Sequence, residues 1–221
     1  LEEVVLPSTM QAIEYGAFYG CTSNKSVINH SALDVVKGST THGYVAYYAS
    51  DVYAGNDTVG DFVFAKSDGK DYAVMYLGND SQITLPANYR GGSYGIGANL
   101  FRDNTIANSI TISNAVTSIG DYAFNGCSNL NVVYIGNSVL SIGASAFYNC
   151  PNLYKVIMLP NSVPTGITSA FQSLSGRITY VGNTNYQSGY SVLGTQRVYT
   201  NLNSYFSVDG IVYALVNPSQ R

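Results

Sequence analysis

Three cysteines, two histidines and a run of aspartates are the side chains of this sequence with the most chemistry to offer. The histidines, His30 and His42, lie next to Ser and Thr residues. A serine–histidine–aspartate set would make an acyl-transfer site, but only if the fold brings all three together, and nothing in the spacing requires that. Asp51, Asp57, Asp61, Asp68 and Asp71 give one stretch an acidic character. Within it "SDGKD" lacks the alternating ligands and closing Glu of a calcium loop and reads as a hairpin turn. "GGSYGIG" lacks the Lys-Ser/Thr of a phosphate loop and reads as a turn insertion. Cys21, Cys127 and Cys150 are spaced unlike a zinc site, and an odd count rules out a full disulfide framework. No catalytic, metal or cofactor site is expected.

The positions of the cysteines say more than their chemistry. "SIGDYAFNGCSNL" (118–130) is rewritten as "SIGASAFYNCPNL" (141–153), 23 residues later. With Cys127 set on Cys150, Phe124 falls on Phe147, Gly120 on Gly143, Ile119 on Ile142 and Leu130 on Leu153. "LPSTMQAIEYGAFYGC" fits the same frame through Phe18 and Cys21. Two weaker copies put Phe101 and Phe171 at the aromatic place, with Asn104 and Leu174 where Cys would stand; Val163 is in frame too. In the last copy Ile167 comes one residue late, so that coil is expected to be distorted.

Self-similarity at a period of this size means a solenoid, propeller or array. Leu130, Val133 and Ile135 end in the alternation of a strand with one buried face. Twenty-three residues cannot enclose a core alone, but stacked copies bury continuous columns. Phe18, Cys21, Phe101, Ile119, Phe124, Cys127, Ile142, Phe147, Cys150 and Phe171 are the expected repeat core. In-frame Ser118 and Ser141, and Asn129 and Asn152, are expected to satisfy backbone groups at the corners.

The frame is lost from Ser26 to about Gln82, where "GYVAYYA" and "GDFVFAKSDGKDYAVMYLG" read as hairpins. "YFSVDGIVYALV" near the end repeats that theme. The organisation read from the sequence is an N-terminal repeat (1–25), a hairpin-rich spacer (26–82), stacked repeats (83–196) and a hairpin (197–221) leading to further repeats or to the C-terminal end. The chain opens at Leu1 inside a repeat and reads as a mature or trimmed fragment. Only 10% of its 221 residues are charged, with a net charge of −3 and no basic run, so nucleic acid is a poor partner. No apolar run approaches the ~20 residues of a membrane-spanning helix. Four N-x-S/T sequons start at Asn24, Asn29, Asn56 and Asn79; they read as Asn/Ser richness.

"SVLSIGASAFYNCPNLYKVIMLPNSV" resembles the BspA-like, or Treponema-type, leucine-rich repeats, whose consensus is near L-x-x-I-x-I-P-x-S-V-x-x-I-G-x-x-A-F-x-x-C. The resemblance covers Leu1–Cys21 and Ile83–Val181. Glu14 departs from it at the Gly place and Gly136 at the Pro place. It implies a leucine-rich-repeat-type right-handed solenoid, β-rich with short helical turns, interrupted here by the hairpin spacer. It also implies secretion or cell-surface display, often in host-associated bacteria, and adhesion to matrix or plasma proteins by some members. It carries no catalytic motif.

Strand alternation selects the exposed sheet face. If Val133 and Ile135 point inward, then Val132 and Tyr134 point outward, as do Lys155 and Ile157, Ser109 and Thr111, and Gln82 and Thr84. Thr84, Thr111, Val132, Tyr134, Lys155 and Ile157 are the candidate protein-binding face. A host extracellular-matrix or plasma protein is the expected partner, with a structural spacer or a glycan-binding module (around Tyr47, Tyr48 and Tyr53) as alternatives. Cys127 and Cys150 fall one coil apart, about 4.8 Å and within disulfide reach. Since Cys21 has no partner, free buried thiols are the expectation.

Overall fold

The computed structural model describes residues 3–24, 26–160 and 164–171, and the strand backbones of residues 179–181, 198–199, 204–208 and 211–215. Val163 and Leu174 lie outside the described residues. The chain divides into two compact units, Leu1–Tyr76 and Leu77–Arg221.

In the first unit β1 (Glu3–Leu6) pairs in parallel with β2 (Ser26–Asn29), Glu3 opposite Ser26. β2 pairs in parallel with β3 (Asp51–Val59), Ser26 opposite Asp51. Residues 26–50 are therefore one more coil, where the sequence led us to expect the start of a hairpin spacer. The frame was hidden because this coil lacks the A-F-x-x-C signature. In addition Asn29 takes the register place of Leu6, buried and satisfied by donating from Nδ2 to the Leu33 carbonyl at 2.7 Å. Hairpins begin only at β3, which runs antiparallel to β4 (Phe62–Ser67), itself antiparallel to β5 (Lys70–Tyr76). "SDGKD" supplies the β4–β5 turn: Asp68 and Gly69 both have positive φ, 49° and 74°, as a two-residue turn matched to strand twist requires. One core cluster joins Val4, Leu6, Val27, Val45, Ala46 and Ala49; another joins Ile28, Tyr53, Val63, Ala65 and Val74.

The second unit contains β6 (Gln82–Thr84), β7 (Tyr94–Ile96), β8 (Ser109–Ile112), β9 (Val116–Ile119), β10 (Val132–Ile135), β11 (Ser141–Ile142) and β12 (Lys155–Met158). A four-residue helix α1 (Ile167–Ala170), β13 (Thr179–Val181) and β14 (Val198–Tyr199) follow, and β15 (Ser204–Val208) and β16 (Ile211–Leu215) pair antiparallel. One parallel sheet runs β14-β13-β12-β10-β8-β6. Val132 stands opposite both Ser109 and Lys155, a step of 23 residues either way. This register carries Ile110, Val133 and Val156 into one buried column, and Ile112, Ile135 and Met158 into another. The V-x-x-I part of each coil builds a second ladder, β7-β9-β11, that aligns Ile96, Ile119 and Ile142. The late Ile167 does distort its coil: a single bridge, Ser141 to Thr165, replaces the strand, and α1 follows.

The corner opposite the sheet explains the repeated letters. Phe101, Phe124, Phe147 and Phe171 stack in one column, with centroids 5.3, 4.8 and 4.6 Å apart and interplanar angles of 12°, 5° and 3°. Two frame positions are left-handed in the four coils that end at Cys21, Asn104, Cys127 and Cys150. Five residues before the Cys place stand Gly16, Asn99, Tyr122 and Ser145, with φ of 54–77°; one residue before it stand Gly20, Asp103, Gly126 and Asn149, with φ of 56–80°. They bend the chain around the ring, and the Gly and Asn preference there follows from the absent or hydrogen-bonding side chain.

Gly120 and Gly143 answer to crowding instead. A Cβ on Gly120 would lie 2.6 Å from the Ala98 nitrogen, and one on Gly143 2.4 Å from the Asp121 nitrogen. In the first unit Glu14 occupies that place and the requirement passes to the stacked coil: a Cβ on Gly43 would meet the Glu14 carbonyl at 2.5 Å.

Candidate protein-binding face

The parallel sheet holds the predicted residues in rows. Thr84, Thr111 and Tyr134 are register partners across β6, β8 and β10, and Gln82, Ser109, Val132 and Lys155 form the row beside them. Thr84 is exposed; Thr111, Val132, Tyr134 and Lys155 are half-buried. All members of these rows except Lys155 line an open depression of about 560 Å³, and no charged side chain is in its lining.

Ile157 is not on this face. It was expected to extend the Tyr134 row outward, but it is only 1% exposed. Period-two alternation breaks in β12, where Val156, Ile157 and Met158 are all buried. The register sets Ile157 between Tyr134 on β10 and Val181 on β13, an interior place in the sheet. Tyr154 replaces it at the site: it is 56% exposed and lines the depression beside Asn131 and Asn108, which precede the strands of the neighbouring coils. Its nitrogen donates to the Asn131 carbonyl at 3.1 Å, as Asn131 does to Asn108 at 2.8 Å, so the coil-to-coil ladder fixes its backbone. Alternation could not find Tyr154 because it lies outside the strand; its frame position, shared with Asn108 and Asn131, was the available signal.

The repeat core is sound in the second unit and looser in the first. Phe101, Ile119, Phe124, Cys127, Ile142, Phe147, Cys150 and Phe171 are buried, whereas Phe18 and Cys21 are only half-buried. Phe18 has the turn at residues 42–44 on one side, its nitrogen donating to the Gly43 carbonyl at 2.8 Å, in place of the aromatic stack of the second unit. All three cysteines are free thiols. The Cys127 thiol donates to the Phe101 carbonyl at 3.1 Å and the Cys150 thiol to the Phe124 carbonyl at 3.0 Å. Cys127 and Cys150 thus each tie themselves to the aromatic residue of the preceding coil. The adjacent Cys150 thiol and burial push the Cys127 thiol well up, so it stays a protonated donor. Asn129 and Asn152 act similarly, donating to the Thr105 and Ser128 carbonyls at 2.5 and 2.8 Å.

Other polar residues singled out by the sequence make structural contacts. His30 Nδ1 lies 2.6 Å from the Gly55 carbonyl and donates to it, tying the second coil to β3. Asn24 and Asn29 are buried, with Asn24 Nδ2 donating to the Val45 carbonyl at 2.7 Å, so those two sequons are part of the interior. "YRGG" (89–92), which leads into "GGSYGIG", forms a small hairpin, Tyr89 and Gly92 exchanging backbone bonds across Arg90 and Gly91, whose φ values are 51° and 76°. Among the described residues no three His, Cys, Asp or Glu side chains converge as a metal site, and no helix is long and apolar enough to cross a membrane.

The model of the BspA type leucine rich repeat region matches residues 1–69 and 70–204, in six copies. The chain belongs to the BspA-type leucine-rich repeat family. That match includes residues 26–69, where the parallel β2 strand had already revealed a further coil. No functionally curated protein matches. Solved structures similar to this one include a leucine rich cell surface protein from Faecalibacterium prausnitzii (21% identity over 72% of this chain and 58% of that one, TM-score 0.41). They also include the T. pallidum leucine rich repeat protein (16%, 59% and 66%, 0.42) and a leucine-rich repeat protein from Bacteroides capillosus (22%, 65% and 97%, 0.42). The chain spans less than two thirds of the length of the first two.

Proposed function

We propose that this BspA-type chain is a non-enzymatic binding segment of a cell-surface or secreted protein, and that the face built by β6, β8 and β10 takes a protein partner. In a host setting the partner class is an extracellular-matrix or plasma protein. The observation that carries the reading is the uncharged depression with Tyr134 in its floor and Tyr154 at its edge. Tyrosine on a rigid backbone offers large contact area and a hydroxyl at little entropic cost, which is why it is enriched in interface centres. Here the sheet ladder supplies the rigidity. The family match supports surface display; no feature of the depression bears on it. A scaffold with a purely spacing role would leave this face inert. The test is a binding screen of the folded chain against matrix and plasma proteins, repeated with Tyr134→Ala/Tyr154→Ala. A saturable hit at least tenfold weaker in the variant supports the reading. A folded chain that binds nothing, or a hit the variant leaves untouched, contradicts it.

A further inference from the structure

The first unit carries a second aromatic surface that the sheet face does not use. Tyr15 and Tyr19 come from the first coil, and Tyr44, Tyr47 and Tyr48 from the turn of the second, which stacks against it. They form a connected chain of edge-to-face contacts. Tyr44 sits at the centre, with Tyr15, Tyr19 and Tyr47 at 5.7, 5.3 and 5.5 Å, and Tyr48 follows Tyr47 at 4.8 Å. Interplanar angles of 67–89° mean that no two of these rings cover each other face to face.

Tyr15 is 85% exposed and Tyr19 72%, so packing does not account for their presence. Tyr53, which the sequence grouped with Tyr47 and Tyr48, is buried in the core and takes no part. The Tyr15 and Tyr44 hydroxyls lie 3.3 Å apart, leaving the pair able both to donate and to accept. The rim is polar. Ser39 and Thr41 hydrogen-bond through their hydroxyls at 2.8 Å. In segments 8–24 and 38–50, which build the patch, the sole Asp, Glu, Lys or Arg is Glu14.

We propose that this tyrosine cluster is a carbohydrate-binding surface for an uncharged glycan. A pyranose presents an apolar face of C–H bonds and a rim of hydroxyls. Exposed phenol rings match the first, and the paired Tyr15/Tyr44 hydroxyls with the Ser39/Thr41 rim match the second. Ring geometry and charge together choose this occupant. Rings set edge to face do not cover one another and leave ring faces for stacking on C–H bonds, and an acidic glycan or a nucleic acid would need Lys or Arg, which segments 8–24 and 38–50 lack. None of its residues lines the depression on the β6–β8–β10 face.

The test is titration of the whole chain with neutral hexasaccharides, using cellohexaose, maltohexaose, chitohexaose and mannohexaose as probes. Calorimetry and intrinsic fluorescence both serve, because the chain has 20 Tyr and no Trp. The expected result is saturable binding of at least one probe. Tyr15→Ala/Tyr19→Ala should weaken it tenfold or more without moving the thermal midpoint, Tyr15→Phe should weaken it less, and Tyr134→Ala should leave it unchanged. No binding of any probe at millimolar concentration would overturn the proposal, as would a probe whose affinity the double alanine variant does not alter. A protein ligand lost with Tyr15 and Tyr19 while all four sugars stay inert would overturn it too, in favour of a second protein interface.

Discussion

The same coil corner is built twice, with opposite results. In the second unit the ring at the A-F place meets a ring of its own kind in the next coil, and a column from Phe101 to Phe171 is buried within 12° of parallel. In the first unit Phe18 meets the 42–44 turn instead, stays half-buried, and the aromatics around it, Tyr15, Tyr19 and Tyr44, are arranged edge to face at the surface. Identical neighbours turn aromatic residues into core. An irregular neighbour turns them outward, where they are free to recognise something else. The contrast separates what holds this protein together from what it has available for binding.

Phe124→Ala should break the contrast most severely. It removes a ring stacked on both sides, and a loss of about 3–5 kcal/mol is expected, read as a large fall in the denaturant midpoint. A negligible change would mean that the column is not core. Gly120→Ala comes next. Its Cβ would press on the Ala98 backbone rather than on a side chain that could swing away, so a cost of about 1–3 kcal/mol is expected by the same measurement. Ser145→Gly should act in the opposite direction. Ser145 is held at a φ of 54°, and relieving it should add up to about 1 kcal/mol to stability, net of glycine's own entropy. Tyr19→Ala should be the smallest, within about 0.5 kcal/mol, because an exposed ring contributes little to folding. Equal losses for Tyr19→Ala and Phe124→Ala would erase the distinction between the two corners.

How far the sequence could be read follows from the same contrast. Where a coil stacks on a near copy, each letter has one job at one frame position, and Phe124, Cys127, Ile142 and Gly120 announced theirs. The coil at 26–50 was invisible because its corner is built by different means: a turn at His42–Tyr44 with φ of 49°, 65° and 67° in place of the A-F-x-x-C arc. The paired left-handed columns were written in Gly16, Gly20, Asn99 and Gly126 but obscured by Tyr122 and Ser145, which adopt the same backbone without the residue type that advertises it. At the candidate face, alternation placed Thr84, Thr111, Val132 and Tyr134 on the strands that build it, while Lys155 stands on β12 in the adjoining row and does not line the depression. Alternation failed for Ile157 because β12 buries three residues in succession, a property of its neighbours that a single strand does not encode.

The most direct test of the binding account is the dissociation constant of the best protein ligand from the screen, measured for wild type, for Tyr134→Ala/Tyr154→Ala and for Tyr148→Ala. Tyr148 is a 45% exposed tyrosine that does not line the depression. The account predicts a loss of at least tenfold for the double variant, about 1.4 kcal/mol, and none for Tyr148→Ala, with all three chains equally folded. Equal affinity in all three would contradict it.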